Sequence, residues 1–282
     1  MKLHSIPTGN LMLDGGAMFG VVPKSLWEKR YPVDSNNLCN WSMRCLLIET
    51  DDRLILIDNG IGNKQDDKFL SHYHLNGDET LKGSLRKLGY EPGDITDMFL
   101  THLHFDHAGG GVEWNRDRTA FQLTFPNANY WVTERQWDWA MAPNPRERAS
   151  FLKENLLPMK DSGHLKFIRE EGELFPGFDV RFFHGHTEAQ AIPLIRYKDR
   201  TVAFMADLMP ASVHMPLPWV IGYDVRPLET MKEKQAFLEE ATAGQYILFF
   251  EHDLYTEACT VEMTEKGARV KETFSLTEFF GN

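Results

Sequence analysis

The chain has 282 residues, 42% hydrophobic and 25% charged, with a formal net charge of −11. That length buries a sizeable core without covalent staples, and an acidic surface repels phosphate backbones, which argues against nucleic acid as a partner. The three cysteines, Cys39, Cys45 and Cys259, show no C-x-x-C spacing, so neither a disulfide framework nor a thiolate metal site is expected.

Short apolar runs recur along the chain, each closed by a polar or glycine cluster. Residues 45–50 and 54–58 flank Asp51-Asp52-Arg53 and read as a β-hairpin. Leu81, Leu85 and Leu88 have helical spacing, with Gly89 as the stop. Residues 95–101 form a buried strand, and 129–133 another. Two helices are predicted at 134–142 and 145–157. Residues 178–183 alternate as a strand does. A second hairpin, 191–197 with 201–206, turns at Lys198-Asp199-Arg200. An amphipathic helix spans 228–243 and a buried strand 245–250. This mixture predicts a layered α/β (α+β) fold, and with no linker or low-complexity tract the whole chain, 1–282, reads as a single domain. The N-terminus lacks the apolar core of a secretion signal, and no apolar run reaches bilayer length. A cytoplasmic protein without membrane association is therefore expected.

Chemistry-bearing residues collect at the ends of these strands. The 95–101 strand leads into His102, His104, Asp106 and His107. The 178–183 strand leads into His184 and His186, the 201–206 strand into Asp207, and the 245–250 strand into Glu251, His252 and Asp253. Imidazole and carboxylate are ligands for zinc, iron and manganese, and strand ends hold ligands more rigidly than free loops do. His102 and His104, two apart in extended chain, point the same way and can share one ion. Asp106 and His107, past a turn, can face a second, and Asp207 suits a bridging role between ions about 4 Å apart. Gly109-Gly110-Gly111 lets the chain leave in close packing. Of His184 and His186, the latter is preferred because it follows Gly185 and opens the turn. Glu251 and Asp253 are expected around the ligands rather than among them.

Thr101-His102-Leu-His104-Phe-Asp106-His107, Gly185-His186-Thr187, Ala206-Asp207 and Glu251-His252 together resemble the dinuclear hydrolase branch of the metallo-β-lactamase superfamily. Ile57-Asp58-Asn-Gly60 resembles the strand-end Asp-x-Gly that packs beneath that family's metals. The resemblance implies a four-layer αββα sandwich. It implies that His102, His104 and His186 hold one ion, that Asp106, His107 and His252 hold the other, and that Asp207 bridges. Two divalent ions are implied, with zinc expected and iron, manganese or cobalt as alternatives. The opening residues 13–27, with Pro32, Asp34 and Asn37, are similar to quorum-quenching N-acyl-homoserine lactonases and to methyl parathion hydrolases.

The resemblance thus implies a metal-dependent hydrolase of a small-molecule substrate, using a bridging hydroxide, with a lactone or similar carboxylic ester as the leading substrate class. A phosphotriesterase is the second reading. A mononuclear iron persulfide dioxygenase is a third, from a different class. Asp106 or Asp207 is the expected proton carrier. The best-known lactonases carry a tyrosine shortly after the bridging aspartate, where this chain has Leu208-Met209-Pro210; Tyr223 and His214 are the candidates to replace it. Met18, Phe19 and Trp27, with aromatics between Trp114 and Phe151, are candidates for an acyl pocket. The sequence leaves homodimerisation open.

Overall fold

The structure, a computed structural model, describes residues 1–281. The chain divides into two compact units, Met1–Gly9 with Met43–Glu170, and Asn10–Ser42 with Glu171–Asn282.

The strands of the first sheet are β1 (Lys2–Asp14), β2 (Leu38–Glu49), β3 (Leu54–Ile57) and β4 (Asp97–Phe99). After a separate hairpin, β5 (Val112–Trp114) with β6 (Phe121–Leu123), come β7 (Asn129–Thr133) and β8 (Leu165–Ile168). The order is β1-β2-β3-β4-β7-β8, and β1 and β2 each cross a unit boundary in sequence. The predicted hairpin is present, with Leu46 opposite Ile57. From β3 to β8 the strands run parallel. Parallel strands are covered on both faces, which is why Leu54-Ile-Leu-Ile57 reads as an unbroken apolar run. Leu47, Leu56, Met98, Leu100, Tyr130 and Val132 are fully buried, with Ile6, Leu85 and Leu103 packed into the same core. Such burial contributes about 25 cal/mol per Å² of apolar surface removed from water.

The second unit holds β9 (Gly172–Phe175), β10 (Phe178–Phe183), β11 (Gln190–Tyr197), β12 (Arg200–Phe204), β13 (Ile247–Phe249), β14 (Ala258–Thr264) and β15 (Gly267–Phe274) in one seven-stranded sheet. All neighbours are antiparallel except β12 and β13, which pair in parallel with Phe204 beside Phe249. That register lays the chain entering Asp207 beside the chain entering His252. The Pro227–Ala243 helix starts on proline at its first position and buries Thr230, Lys234, Phe237, Leu238 and Ala241, an apolar stripe at helical spacing interrupted by one lysine.

One expectation needs correction. The helix predicted at 145–157 instead spans Lys153–Asp161 and carries Pro158 inside it. Residues 144–147 are diverted into an Asn turn, in which Asn144 Oδ1 accepts from the backbone N–H of Arg146 at 2.8 Å and of Glu147 at 3.2 Å. Residues 258–274, for which no element is predicted, form the paired strands β14 and β15.

The three glycines act as expected. A Cβ at Gly109 would stand 2.2 Å from the Ile61 carbonyl oxygen, and one at Gly110 would stand 2.1 Å from that of Asn59. Only a residue without a side chain lets backbone meet backbone so closely. The three cysteines are buried and unbridged. Among the described residues, no helix is long and apolar enough to cross a membrane.

Candidate metal centre

In the first unit the chain leaves β4 and delivers Thr101 to His107. Asp58, at the end of β3, organises this run. Its Oδ1 accepts from Thr101 N at 2.8 Å and its Oδ2 from Thr101 Oγ1 at 2.6 Å. Oδ2 also lies 3.1 Å from His107 Nδ1. Asp58 is fully buried and sits at φ +56°, a left-handed conformation that aspartate tolerates better than most residues.

Hydrogen-bond accounting assigns each ring its tautomer. The single hydroxyl hydrogen of Thr101 goes to Asp58, so Thr101 Oγ1 can only accept from His102 Nδ1, 3.1 Å away. His104 Nε2 lies 3.3 Å from Glu147 Oε1, and a carboxylate only accepts. His107 Nδ1 is committed to Asp58 in the same way. The remaining nitrogens, His102 Nε2, His104 Nδ1 and His107 Nε2, therefore carry lone pairs. His102 Nε2 and His104 Nδ1 face each other at 3.1 Å, and His107 Nε2 faces Asp106 Oδ2 at 3.8 Å. Two acceptors aimed at one point repel unless a cation stands between them.

The second unit repeats the arrangement with other partners. His186 Nδ1 lies 3.0 Å from Asp224 Oδ1, and His252 Nδ1 donates to the Ser42 carbonyl at 2.8 Å. The opposite nitrogens converge on Asp207, with His186 Nε2 3.1 Å from Oδ2 and His252 Nε2 3.3 Å from Oδ1. Burial opposes an imidazolium at His186, but the carboxylates of Asp207 and Asp224 outweigh it and lift the ring to about 10. This cluster is built for positive charge. Ala206 precedes Asp207 at φ +39°, a left-handed conformation that costs a non-glycine residue about 1 kcal/mol and is typical of functional sites.

These donor sets fit divalent metals. Nitrogen and oxygen ligands sharing a tetrahedral zinc at about 2.0–2.1 Å lie about 3.3 Å apart, close to the 3.1 and 3.3 Å separations found here. A carboxylate or carbonyl stands behind His104, His107, His186 and His252, and the Thr101 hydroxyl behind His102; such partners fix tautomer and ring orientation in metal sites.

The other candidates fall elsewhere. His184 pairs with Glu188 at 3.2 Å and is partly exposed. His214 is buried, stacks on Phe19 with ring centroids 5.1 Å apart, and binds the Met18 carbonyl through Nε2 at 2.8 Å. Burial holds it down at about 4. Its expected role as a proton donor is therefore corrected to packing, because a neutral ring committed to a backbone carbonyl has no proton to spare. Tyr223 is 41% exposed. Asp253 takes the backbone N–H of Ser212, Tyr255 and Thr256, which ties the loop after Asp207 to the one after His252. Phe19 and Trp27 are buried against each other at 4.7 Å, as core residues are.

Glu147, Asp224 and Ser42 were not foreseen. Glu147 also accepts from Trp139 Nε1 at 2.7 Å and Asn144 Nδ2 at 2.6 Å, so it is locked before it meets His104. No motif spacing marks these residues. The one available signal was a buried carboxylate among aromatics, as in Trp139-x₇-Glu147.

A family model described as the metallo-beta-lactamase superfamily matches residues 44–252. The chain belongs to that superfamily and is a metal-dependent hydrolase of that class. An N-acyl homoserine lactonase of Bacillus thuringiensis is 24% identical over 276 residues, covering 92% of this chain and 96% of its own length. Among solved structures, a probable metal-dependent hydrolase from Staphylococcus aureus is 30% identical with a TM-score of 0.86, the match covering 97% of this chain and 98% of that one. AidC, a dizinc quorum-quenching lactonase in complex with a product, is 22% identical with a TM-score of 0.79, the match covering 96% and 94%. These likenesses agree with the mixed α/β architecture.

Proposed function

We propose that this protein is a dinuclear lactonase that opens N-acyl-homoserine lactones or similar lactones. The observation that carries the reading is Asp207, whose two carboxylate oxygens each address a different histidine, at 3.1 Å for His186 and 3.3 Å for His252. That is the posture of a bridging ligand. His102, His104 and His186 would hold one divalent ion, and Asp106, His107 and His252 the other. Asp207 would be shared, and residues 1–282 would work as one catalytic domain. Zinc suits this donor set; iron, manganese and cobalt accept it too. When bound, such a pair supplies an acidified water and polarises an acyl carbonyl. Lactonase relatives of matching length favour lactones as the substrate class.

The chain's own residues then have defined tasks. Asp58, Glu147, Asp224 and the Ser42 carbonyl hold the imidazoles in the tautomer that presents a lone pair. Asp106 takes the proton from the attacking water and returns it to the ring oxygen as the acyl–oxygen bond breaks. The Tyr223 hydroxyl, on an exposed side chain, hydrogen-bonds the carbonyl oxygen as it gains charge. Three buried, unbridged cysteines suit a reducing compartment such as the cytoplasm.

The test is acid release from N-acyl-homoserine lactones by metal-replete protein, followed at constant pH beside paraoxon hydrolysis. Lactone turnover with weak paraoxon turnover is expected. No lactone turnover overturns the reading, paraoxon turnover alone makes the protein a phosphotriesterase, and one iron per chain points to persulfide oxidation.

A further inference from the structure

The turn that presents His186 is held by one short stretch of chain. Glu233, on the Pro227–Ala243 helix, accepts two adjacent amide hydrogens, from His184 N at 2.7 Å and from Gly185 N at 2.9 Å. Arg226, at the start of the same helix, donates Nη1 to the His184 carbonyl at 2.6 Å and Nη2 to Glu188 at 2.9 Å. Its backbone N–H meets the Gly185 carbonyl at 2.9 Å, and that of Val225 meets the His186 carbonyl at 3.1 Å. Asp224 receives His186 Nδ1. Thr230 closes the contact from below, since a Cβ at Gly185 would stand 2.3 Å from its backbone nitrogen. Arg226, Thr230 and Glu233 follow one another at spacings of four and three, so one face of the helix makes these contacts.

We infer that Glu233 is a positioning residue that sets the backbone of the His184–Gly185 turn and thereby aims His186 at its ligand point. The inference rests on the reading of His186 as a metal ligand. The physical case is that a carboxylate bonded to two successive amides fixes two peptide planes at once, and charged acceptors make the stronger bonds. Those planes, 183–184 and 184–185, end at the Gly185 Cα and set the course of the chain into the His186 Cα one residue on. Asp224 can orient the ring only if that Cα is already in place. Glu233 is half-buried, and burial raises its carboxyl above the usual range despite the two amide bonds that favour the anion. Neutral glutamine in its place offers an amide N–H toward a backbone N–H and loses one of the two bonds.

Glu233→Gln tests this by titrating apo-protein with Zn²⁺ against a chromophoric chelator, alongside the melting midpoint of the apo-protein. The wild type should take two equivalents. The variant should keep one at wild-type affinity and bind the other about 10–100-fold more weakly, the range typical when a residue supporting a metal ligand is lost. Arg226→Lys, which drops the bond to the His184 carbonyl but keeps the charge, should shift the same equivalent by less, and it carries the test if Glu233→Gln does not fold. A purely structural role would lower the apo-protein midpoint and leave both affinities unchanged, and that result overturns the inference. Equal weakening of both equivalents also overturns it. A wild type that takes up no metal overturns the metal reading itself, and this inference with it, whereas a two-metal wild type with unaltered variants overturns this inference alone.

Discussion

In the first unit the proposed ligands His102, His104, Asp106 and His107 sit in one uninterrupted run, steadied by Asp58 and Glu147. In the second, His186, Asp207 and His252 arrive from three separate strand ends and depend on the β12–β13 register, on Ser42 and on Asp224. Both units reach the same end, imidazoles with one nitrogen committed to a supporting group and the other turned toward the neighbouring members of the cluster. The first gathers its residues in one run of chain and braces them with Asp58 and Glu147, 49 and 43 residues from the histidines they meet; the second gathers both its residues and their braces from separate segments.

The comparison breaks most visibly at Asp207. Asp207→Asn removes the anion shared by His186 and His252, and should lower kcat/KM by on the order of 10³-fold or more with loss of at least one metal equivalent. Elemental analysis beside the lactone assay checks it, and a variant retaining both equivalents at full activity would refute the bridging role. Removing metal with EDTA should abolish turnover to the same extent, and added Zn²⁺ should restore it.

A sharper cut comes from the residues behind the ligands. Glu147→Gln loosens His104 and Asp224→Asn loosens His186, and both histidines are assigned to the same ion, so each substitution should weaken that one metal equivalent by about 10–100-fold and spare the other. If the two substitutions weakened different equivalents, or both equally, the assignment of His104 and His186 to one ion would be refuted.

Below that lies acid stability. Burial in the second unit lowers His214 from 6.5 to about 4, so between those values the unfolded chain binds more protons than the folded one. The stability gained by keeping the ring neutral is complete above about 6.5 and is lost as pH falls toward 4. Between pH 7 and pH 5 this amounts to about 2 kcal/mol. Chemical denaturation at the two pH values should show that His214→Phe, which keeps the stack on Phe19, loses less stability than wild type over this interval. Parallel losses would contradict the assignment.

The smallest effect is expected at Tyr223. Tyr223→Phe should cost about tenfold in kcat, as loss of one hydrogen bond to a developing charge does, with unchanged metal content. Steady-state kinetics with no change would remove it from the reaction.

Legibility in the sequence followed the same divide. His102 to His107 announces itself by spacing, and His186, Asp207 and His252 were visible as polar residues closing apolar strands. Of the residues that orient them, Asp58 stood out through Ile57-Asp58-Asn-Gly60, whereas Glu147, Asp224 and Glu233 did not. Glu147 lies in a segment that reads as helix, and the Asn144 turn that diverts it has no periodic signature. Asp224 and Glu233 gain their roles from where the Pro227–Ala243 helix lands, which spacing does not encode. His214 looked chemical because it follows Asp207 among prolines, yet its side chain is spent on Met18 and Phe19. β14 and β15 were legible too, since Cys259-Thr-Val-Glu-Met-Thr264 and Ala268-Arg-Val-Lys271 alternate apolar and polar residues as strands do, yet they are not among the predicted elements.

The bare backbone contact of Gly109 and Gly110 against residues 59–61 carries a lesson for anyone evolving new substrate preference into this protein. That stretch packs the chain leaving His107 directly onto the residues that follow β3, and it has no spare volume to trade. In a library randomised across residues 105–125, survivors should retain glycine at 109 and 110 whatever substrate is selected. Variation should gather at exposed positions such as Arg116 and Asp117, away from this backbone contact.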